Sequence, residues 1–256
     1  DEFMTSYARS QPEGALSHGQ LQAAALHMMH AGGLSDFHRS ADLLIAWSQR
    51  FNRHAQPRVW QALWHVMRYT RGLGFNEADA ALHHLKQALA LEPEHAHAHA
   101  AHGYALAHLQ GDIEKGMREI ERAQALNPDL HWIKLYRSVL WCFLNQPQRA
   151  MLEASWALSQ APQDPMQGFA LGLAGHAAVY ARQPSMAVKW LEDAWAHHRH
   201  HSPILRMLVV AHQMLGNRQM AGFFLRQLLT LEPGLTARTY MGRARVGHRL
   251  LYTSPS

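Results

Sequence analysis

A recurring helix ending, spaced by about 34 residues, constrains this chain more than any other feature of its sequence. Three segments end in the same form, Ala88–Pro93, Ala123–Pro128 and Leu228–Pro233, and Ala157–Pro162 is a weaker copy. In chain order the four closing prolines are 35, 34 and 71 residues apart, so the last interval has room for two units, with a degenerate ending within Ala194–His201. A unit this short cannot bury its own apolar face, so neighbouring units must stack on one another.

Each ending is preceded by a small residue with apolar or small residues four and seven positions later. The five sets are Ala81/Leu85/Ala88, Gly116/Ile120/Ala123, Ala150/Ala154/Ala157, Ala187/Leu191/Ala194 and Ala221/Leu225/Leu228. This spacing follows one face of a helix, and a small first residue lets two helices approach closely. Upstream helical stretches end in turn signals such as Gly111-Asp112 and Gly216-Asn217, so the unit is predicted to be helix, turn, helix, proline.

These residues resemble tetratricopeptide repeats, whose pattern has a small residue and an aromatic in the first helix, two small residues in the second, and a closing proline. The resemblance covers roughly 59–234 as five repeats, and it departs from the pattern at Gly116 and Leu228. It implies an all-α, right-handed superhelix of about five helical pairs. We expect a cloning remnant and mobile tail at 1–15, a diverged N-terminal helical pair at 16–58, repeats at 59–235, and a capping helix and tail at 236–256.

Two stretches carry a closer resemblance, Val66–Pro93 and His197–Pro233. They are similar to the C-terminal repeat segments of proteobacterial regulators with a winged-helix domain of the OmpR/ToxR or activator (SARP) type, and of class III adenylyl cyclases. The resemblance implies that this chain is the sensory or partner-binding part of a signalling or transcriptional regulator. Two alternatives stay open: a stand-alone scaffold or chaperone for secretion or envelope assembly, and a metal- or pH-sensing helical domain.

Composition and motifs argue against several other classes of protein. The formal charge is +5, but basic residues are scattered except between Arg238 and Arg249, so we expect no direct binding of nucleic acid. The single cysteine, Cys142, fits a reducing compartment, and no apolar run is long enough for a bilayer, so we expect a cytoplasmic protein without membrane contact. No phosphate loop, nucleophile elbow or acid/base pair of carboxylates is recognisable, so we expect neither enzymatic activity nor a cofactor.

The 21 histidines include two clusters that raise the question of a metal site. His95, His99 and His102 would share one helical face, a spacing that can bind zinc or nickel, and 197–201 contains four more histidines. Neither cluster has cysteine ligands, so solvated or hydrogen-bonded histidines are the favoured interpretation. So many groups that titrate near pH 6.5 also suggest a response to pH.

Partner contacts are predicted on the first helix of each pair, because the resemblance implies that first helices line the concave face of the superhelix. The candidate residues are Tyr104, His108, Trp132, Leu135, Phe169, His176, Arg206 and Gln213. Aromatic residues with an occasional arginine are typical anchors for peptides. The alternative is that Trp132 and Phe169 only pack between repeats. The expected partner is a protein or peptide, with a small-molecule effector as an alternative, and homodimerisation is left open.

Overall fold

The computed structural model describes residues 16–30, 33–74, 76–160, 162, 164, 166–236 and 239–240, and this part of the chain contains twelve α-helices and no strand. In chain order the helices are α1 (His18–His30), α2 (Leu34–Arg50), α3 (Ala55–Arg71), α4 (Glu77–Leu91), α5 (Ala96–Ala105), α6 (Ile113–Leu126), α7 (His131–Phe143), α8 (Pro147–Gln160), α9 (Gln167–Tyr180), α10 (Pro184–His197), α11 (Ser202–Met214) and α12 (Arg218–Leu231). A π-helical segment, Leu106–Gln110, extends α5. The predicted tail at 1–15 and nearly all of the predicted capping helix lie outside the described residues.

The helices pack as six consecutive hairpins, each formed by a first helix (α1, α3, α5, α7, α9 or α11) and the second helix that follows it. From α3 to α11, each first helix also contacts the first helix of the next hairpin. Buried apolar residues therefore form three clusters along the stack, with the partly buried Leu158 packed against each, instead of one core around a single centre. The superhelix is wound tightly enough that α11 reaches back to α3.

The turns inside the hairpins use a left-handed residue followed by a helix cap, as the sequence predicts at two of them. Gly111 and Gly216 both have φ of 72°. The side chain of Asp112 accepts a hydrogen bond from the Lys115 amide at 3.1 Å, and Asn217 accepts one from Met220 at 3.2 Å. Each cap satisfies an amide that the first turn of its helix leaves without an intrahelical partner.

Gly116, the departure from the small alanine of the repeat pattern, has a packing reason. At the crossing of α5 and α6 it faces Gly103, and a Cβ atom on Gly103 would lie 2.5 Å from the carbonyl oxygen of Gly116. A Cβ on Gly116 would lie 2.7 Å from the oxygen of Gly103. The two backbones therefore touch, and alanine fits at neither position without moving a helix.

Two glycine-to-alanine substitutions are expected to have opposite effects, one at this contact and one away from it. Gly103→Ala should lower the free energy of unfolding by about 2 kcal/mol, because separating α5 from α6 outweighs the better helix propensity of alanine. Gly172→Ala in α9 should raise it by about 0.5–1 kcal/mol, because its Cβ would meet only Ile204, at an ordinary 3.5 Å. Urea denaturation of both variants measures the two effects, and a change of the same sign in both would contradict the assigned contact.

Candidate partner-binding face

Acidic residues are absent from the first helices. Within the described bounds, α1, α3, α5 with its π segment, α7, α9 and α11 contain neither Asp nor Glu. Carboxylates lie instead in the loops and on the second helices α2, α4, α6, α8 and α10. The sequence indicated this bias only in part, because the exact segregation appears once helix bounds are known. The face built by the first helices therefore offers a partner basic, aromatic and aliphatic side chains.

Several basic side chains of the first helices pair with acidic residues of a second helix packed beside them. The closest contacts are Arg68 to Glu77 at 2.8 Å, Arg137 to Glu153 at 2.8 Å, His99 to Glu119 at 2.6 Å and His212 to Glu192 at 3.3 Å. Such pairs compensate the desolvation of partly buried basic groups. They also show where carboxylates do come close to a first helix.

A row of four rings runs along the first helices of three successive hairpins, and we call it the rim row: His108, Phe143, His176 and Tyr180. Neighbouring ring centroids are 6.0, 6.4 and 4.6 Å apart, in that order. All four side chains are partly exposed. The row is therefore continuous and reachable from outside, which is the arrangement that aromatic peptide anchors need.

The two histidines of the rim row are neutral at pH 7. Burial, with a smaller contribution from the charge of Arg206, lowers the pKa of His108 to about 4. Burial also lowers the pKa of His176 to about 4, and His108 adds to the effect. Because both rings are uncharged, the rim row acts as an aromatic surface with polar edges.

Four of the predicted partner-binding residues lie below the rim row, among the buried side chains. Tyr104, Trp132, Leu135 and Phe169 are all buried, and the rings of Trp132 and Phe169 are 6.0 Å apart, which joins α7 to α9. Tyr136 stacks on Tyr104 at 5.0 Å. This layer lies beneath the rim row, where Tyr104 stacks on His108 at 5.3 Å.

Arg206 and Gln213 lie on α11 in different surroundings. Gln213 is exposed. Arg206 is buried, and its guanidinium donates a hydrogen bond from Nη2 to the backbone oxygen of Thr70 at the end of α3. Its Nη1 lies 3.7 Å from a carboxylate oxygen of Glu232. Arg206 thus connects α11, in the last of the five repeats, to α3, in the first of them.

Phe143 and Tyr180 were not predicted as contact residues. Both occupy the final position of a first helix, α7 and α9 respectively. An apolar residue there looks like a core residue in a linear sequence. The π segment was also unpredicted, and the ring of His108 in it stacks on Tyr104 at 5.3 Å.

The first histidine cluster has structural partners. The imidazole of His99 contacts Glu119 through Nδ1 and donates a hydrogen bond from Nε2 to the Pro93 carbonyl oxygen at 2.8 Å. Nδ1 of His95 accepts a hydrogen bond from the Ala98 amide at 3.1 Å and so caps α5. Over the part of the chain that is described, no group of three or more His, Cys, Asp or Glu side chains is arranged to hold a metal ion. From the second cluster, His198 and His201 turn into the protein interior.

One hollow on the surface lies away from the first-helix face. It has a volume of about 810 Å³ and lies between the loops that precede α5 and α7, next to Glu92, His95 and Leu130. It is a wide depression at the edge of the stack, and no ring of the rim row lines it. Among the described helices, none is both long and apolar enough to cross a bilayer.

No protein-family model matches the sequence, and a search of curated proteins finds no match. Solved structures do match. A tetratricopeptide repeat protein from Parabacteroides merdae is 11% identical with a TM-score of 0.53, over 96% of this chain and 90% of that protein. PilW, a widely conserved type IV pilus biogenesis factor, is 19% identical with a TM-score of 0.55, over 76% of this chain and 89% of PilW.

The fold is a tetratricopeptide-type superhelix. A third match, the Cut9–Hcn1 hetero-tetramer of APC/C, supports this fold with a TM-score of 0.62 and 14% sequence identity. The match covers 94% of this chain but only 45% of the matched chain. The predicted all-α superhelix is therefore confirmed. At these identities the similarity concerns the fold alone.

Proposed function

We propose that this protein is a non-enzymatic interaction module that binds a peptide segment of a partner protein across the rim row. The observation that carries this proposal is the continuous series of partly exposed rings supplied by α5, α7 and α9. Aromatic rings bury large areas at little cost in side-chain entropy and are typical anchors of interfaces.

The charge distribution narrows the class of partner. Because the first helices carry no carboxylate, a basic peptide would find no counter-charge on this face. A segment with apolar side chains and acidic neighbours fits better, since its carboxylates would meet no Asp or Glu of the first helices to repel them. The expected ligand is thus an extended peptide rich in Leu, Phe, Asp and Glu.

We further propose that the module belongs to a bacterial signalling or transcriptional regulator, as the resemblance of Val66–Pro93 and His197–Pro233 implies. A stand-alone scaffold in secretion or envelope assembly is equally consistent with the superhelical fold. Genes that encode the same repeats downstream of a winged-helix or cyclase domain would favour the regulator. Homologues that consist of the repeats alone would favour the scaffold.

Selection from a displayed peptide library tests the binding face. We expect enriched peptides to carry apolar and acidic residues, and the double variant Phe143→Ala/Tyr180→Ala to bind them at least about tenfold more weakly, because it removes two anchors of the rim row. Fluorescence anisotropy with the selected peptide measures the affinity.

Leu152→Ala serves as the matched control, because Leu152 lies on the second helix α8. Its exposed fraction is 73%, the highest of the large apolar residues in the described part of the chain. It should bind the peptide as tightly as the parent protein. Equal weakening in both variants, or enrichment of basic peptides, would contradict the assignment of the face.

A further inference from the structure

Basic side chains meet in the interior where the superhelix closes on itself. The imidazole of His198 donates a hydrogen bond from Nδ1 to the carbonyl oxygen of His30 at the end of α1, and Arg206 of α11 donates to Thr70 at the end of α3. The rings of His30 and His198 are 5.4 Å apart, and those of His198 and His201 are 6.3 Å apart. Three parts of the chain, distant in sequence, therefore converge here.

The closure cluster, as we name it, consists of five basic side chains: His30, Arg71, His198, His201 and Arg206. Each has less than a tenth of its surface exposed. They come from the ends of α1 and α3, from the loop between α10 and α11, and from α11. The cluster thus lies below the protein surface and is enclosed by both ends of the stack.

Arg71 differs from three other arginines of the first helices, which lie close to a carboxylate. Arg68 and Arg137 each contact a carboxylate at 2.8 Å, and Arg206 has Glu232. Among the described residues, Arg71 forms no ion pair with a carboxylate, and its guanidinium lies 4.0 Å above the ring of Phe37. A guanidinium cannot lose its proton at physiological pH, so this buried charge is left without a counter-ion.

Polar atoms of the cluster also lack partners. Within the described part of the chain, both ring nitrogens of His30, both of His201, Nε2 of His198 and Nε of Arg71 are buried without a hydrogen-bond partner. The two helix-end carbonyls nearest to them already accept from His198 and Arg206. Burying a donor without an acceptor costs free energy, so an acceptor that carries negative charge would stabilise the cluster.

Of the carboxylates near the cluster, that of Glu232 already lies 3.7 Å from Nη1 of Arg206. The helices α1, α3, α9 and α11, which border the cluster, contain no Asp or Glu, and the sequence contains none after Glu232. We therefore propose that the closure cluster is a binding site for a small phosphate-type oxyanion, held chiefly by Arg71 and by the imidazoles of His30 and His201. Planar guanidinium and imidazole N–H groups match the oxygens of a tetrahedral dianion.

The electrostatics of the closure cluster agree with this assignment. Burial lowers the pKa of His201 well below its usual range, and Arg71, His198, His30 and Arg206 all lower it further. Burial, then His198 and Arg71, do the same to His30. A bound dianion reverses this repulsion and stabilises the protonated imidazoles, so the ligand and the protons bind together.

Thermal melting and calorimetric titration at pH 7.5 test the site, with sodium phosphate, sodium sulfate and glycerol 3-phosphate at up to about 5 mM, each against sodium chloride of equal ionic strength. This concentration is low enough to avoid general salting effects. We expect saturable binding of one anion per chain and a melting temperature raised by about 3 °C or more. Binding of glycerol 3-phosphate would indicate a phosphate ester as the natural ligand, and binding of phosphate and sulfate alone would indicate the free ion.

Arg71→Met should weaken the anion at least about tenfold, because methionine keeps the length of the side chain and removes its charge. Arg149→Met is the matched control, since Arg149 also stacks on an aromatic ring, that of Trp141, but is exposed on α8. It should leave the affinity unchanged. His201→Gln provides a second test that does not depend on the stability of the Arg71 variant, and it should also weaken binding.

The proposal fails if the parent protein shows no saturable binding in this range, or if Arg71→Met and His201→Gln bind the anion as tightly as Arg149→Met does. Neither result depends on peptide binding at the rim row. The two proposals therefore stand or fall separately.

Discussion

Acidification from pH 7.5 to 5.5 is expected to lower the melting temperature of this protein by about 10 °C or more. The reason is a set of histidines that the fold holds neutral. The pKa is lowered to about 3 for His97 and to about 4 for His84, His108, His176 and His198. In every case burial is the largest cause, and neighbouring basic groups add to it.

The sign of the effect follows from proton linkage. Between pH 6.5 and 4 the unfolded chain binds protons on these histidines that the folded protein does not bind. Stability is therefore complete above pH 6.5 and is lost as the pH falls towards 4. At pH 5.5 His97, His108, His176 and His198 each contribute a loss on the order of 1 kcal/mol, and the more exposed His84 contributes less because solvent screens it. The total is a large part of the stability of a typical domain.

Two variants separate this mechanism from general acid effects. His97→Gln should reduce the dependence of melting temperature on pH, because one buried histidine no longer has to be kept neutral. His38→Gln, which changes an exposed ring on α2, should reproduce the parent curve. A parent melting temperature that stays flat from pH 7.5 to 5.5 would refute the linkage and, with it, the idea that this domain responds to pH.

Most of the fold could be predicted because its repeating unit is local. Closing residues such as Pro93, Pro128 and Pro233 mark where second helices end, and the small residues at i, i+4 and i+7 identify the face that packs. Even the degenerate unit was placed correctly, since the interval of 71 residues requires an ending that the structure shows at His197. Local spacing suffices when each hairpin contacts mainly its neighbours.

The closure of the superhelix could not be predicted in the same way. The contact between α11 and α3 depends on small rotations that add up over four hairpins, and no short pattern records such a sum. For this reason Arg206 was assigned to an open face, although its guanidinium reaches Thr70 in the interior. The same limit hid Arg71, which looks like an ordinary basic residue at a helix end.

The rim row was predicted in part, for a related reason. His108 and His176 were assigned to the partner-binding face from their positions in the first helices of the repeats. Phe143 and Tyr180 did not, because an apolar residue near a helix end does not reveal whether it is covered. Whether a ring is exposed depends on the next hairpin in the stack, so exposure is a property of the assembled superhelix and not of the repeat.

Replacing Tyr136 by alanine is expected to lower the free energy of unfolding by about 3–5 kcal/mol, the usual cost of deleting a large buried aromatic side chain. Tyr136 is fully buried, stacks on Tyr104 at 5.0 Å, and lies between the rings of His97 and Trp132 at 6.2 and 5.6 Å. Its removal leaves a hole where α5 meets α7. Equilibrium unfolding in urea measures the loss through the midpoint.

Tyr69→Ala is the appropriate control, since this tyrosine is 44% exposed at the end of α3, and its loss should change stability by no more than about 0.5 kcal/mol. Tyr136→Phe should also be mild, because it keeps the stacked ring and removes only a hydroxyl 3.4 Å from His97. A small effect of Tyr136→Ala would mean that adjacent hairpins adjust to close the hole. In that case the buried ring layer would not hold α5 and α7 in register, and the rim row above it would lose its support as a preformed binding surface.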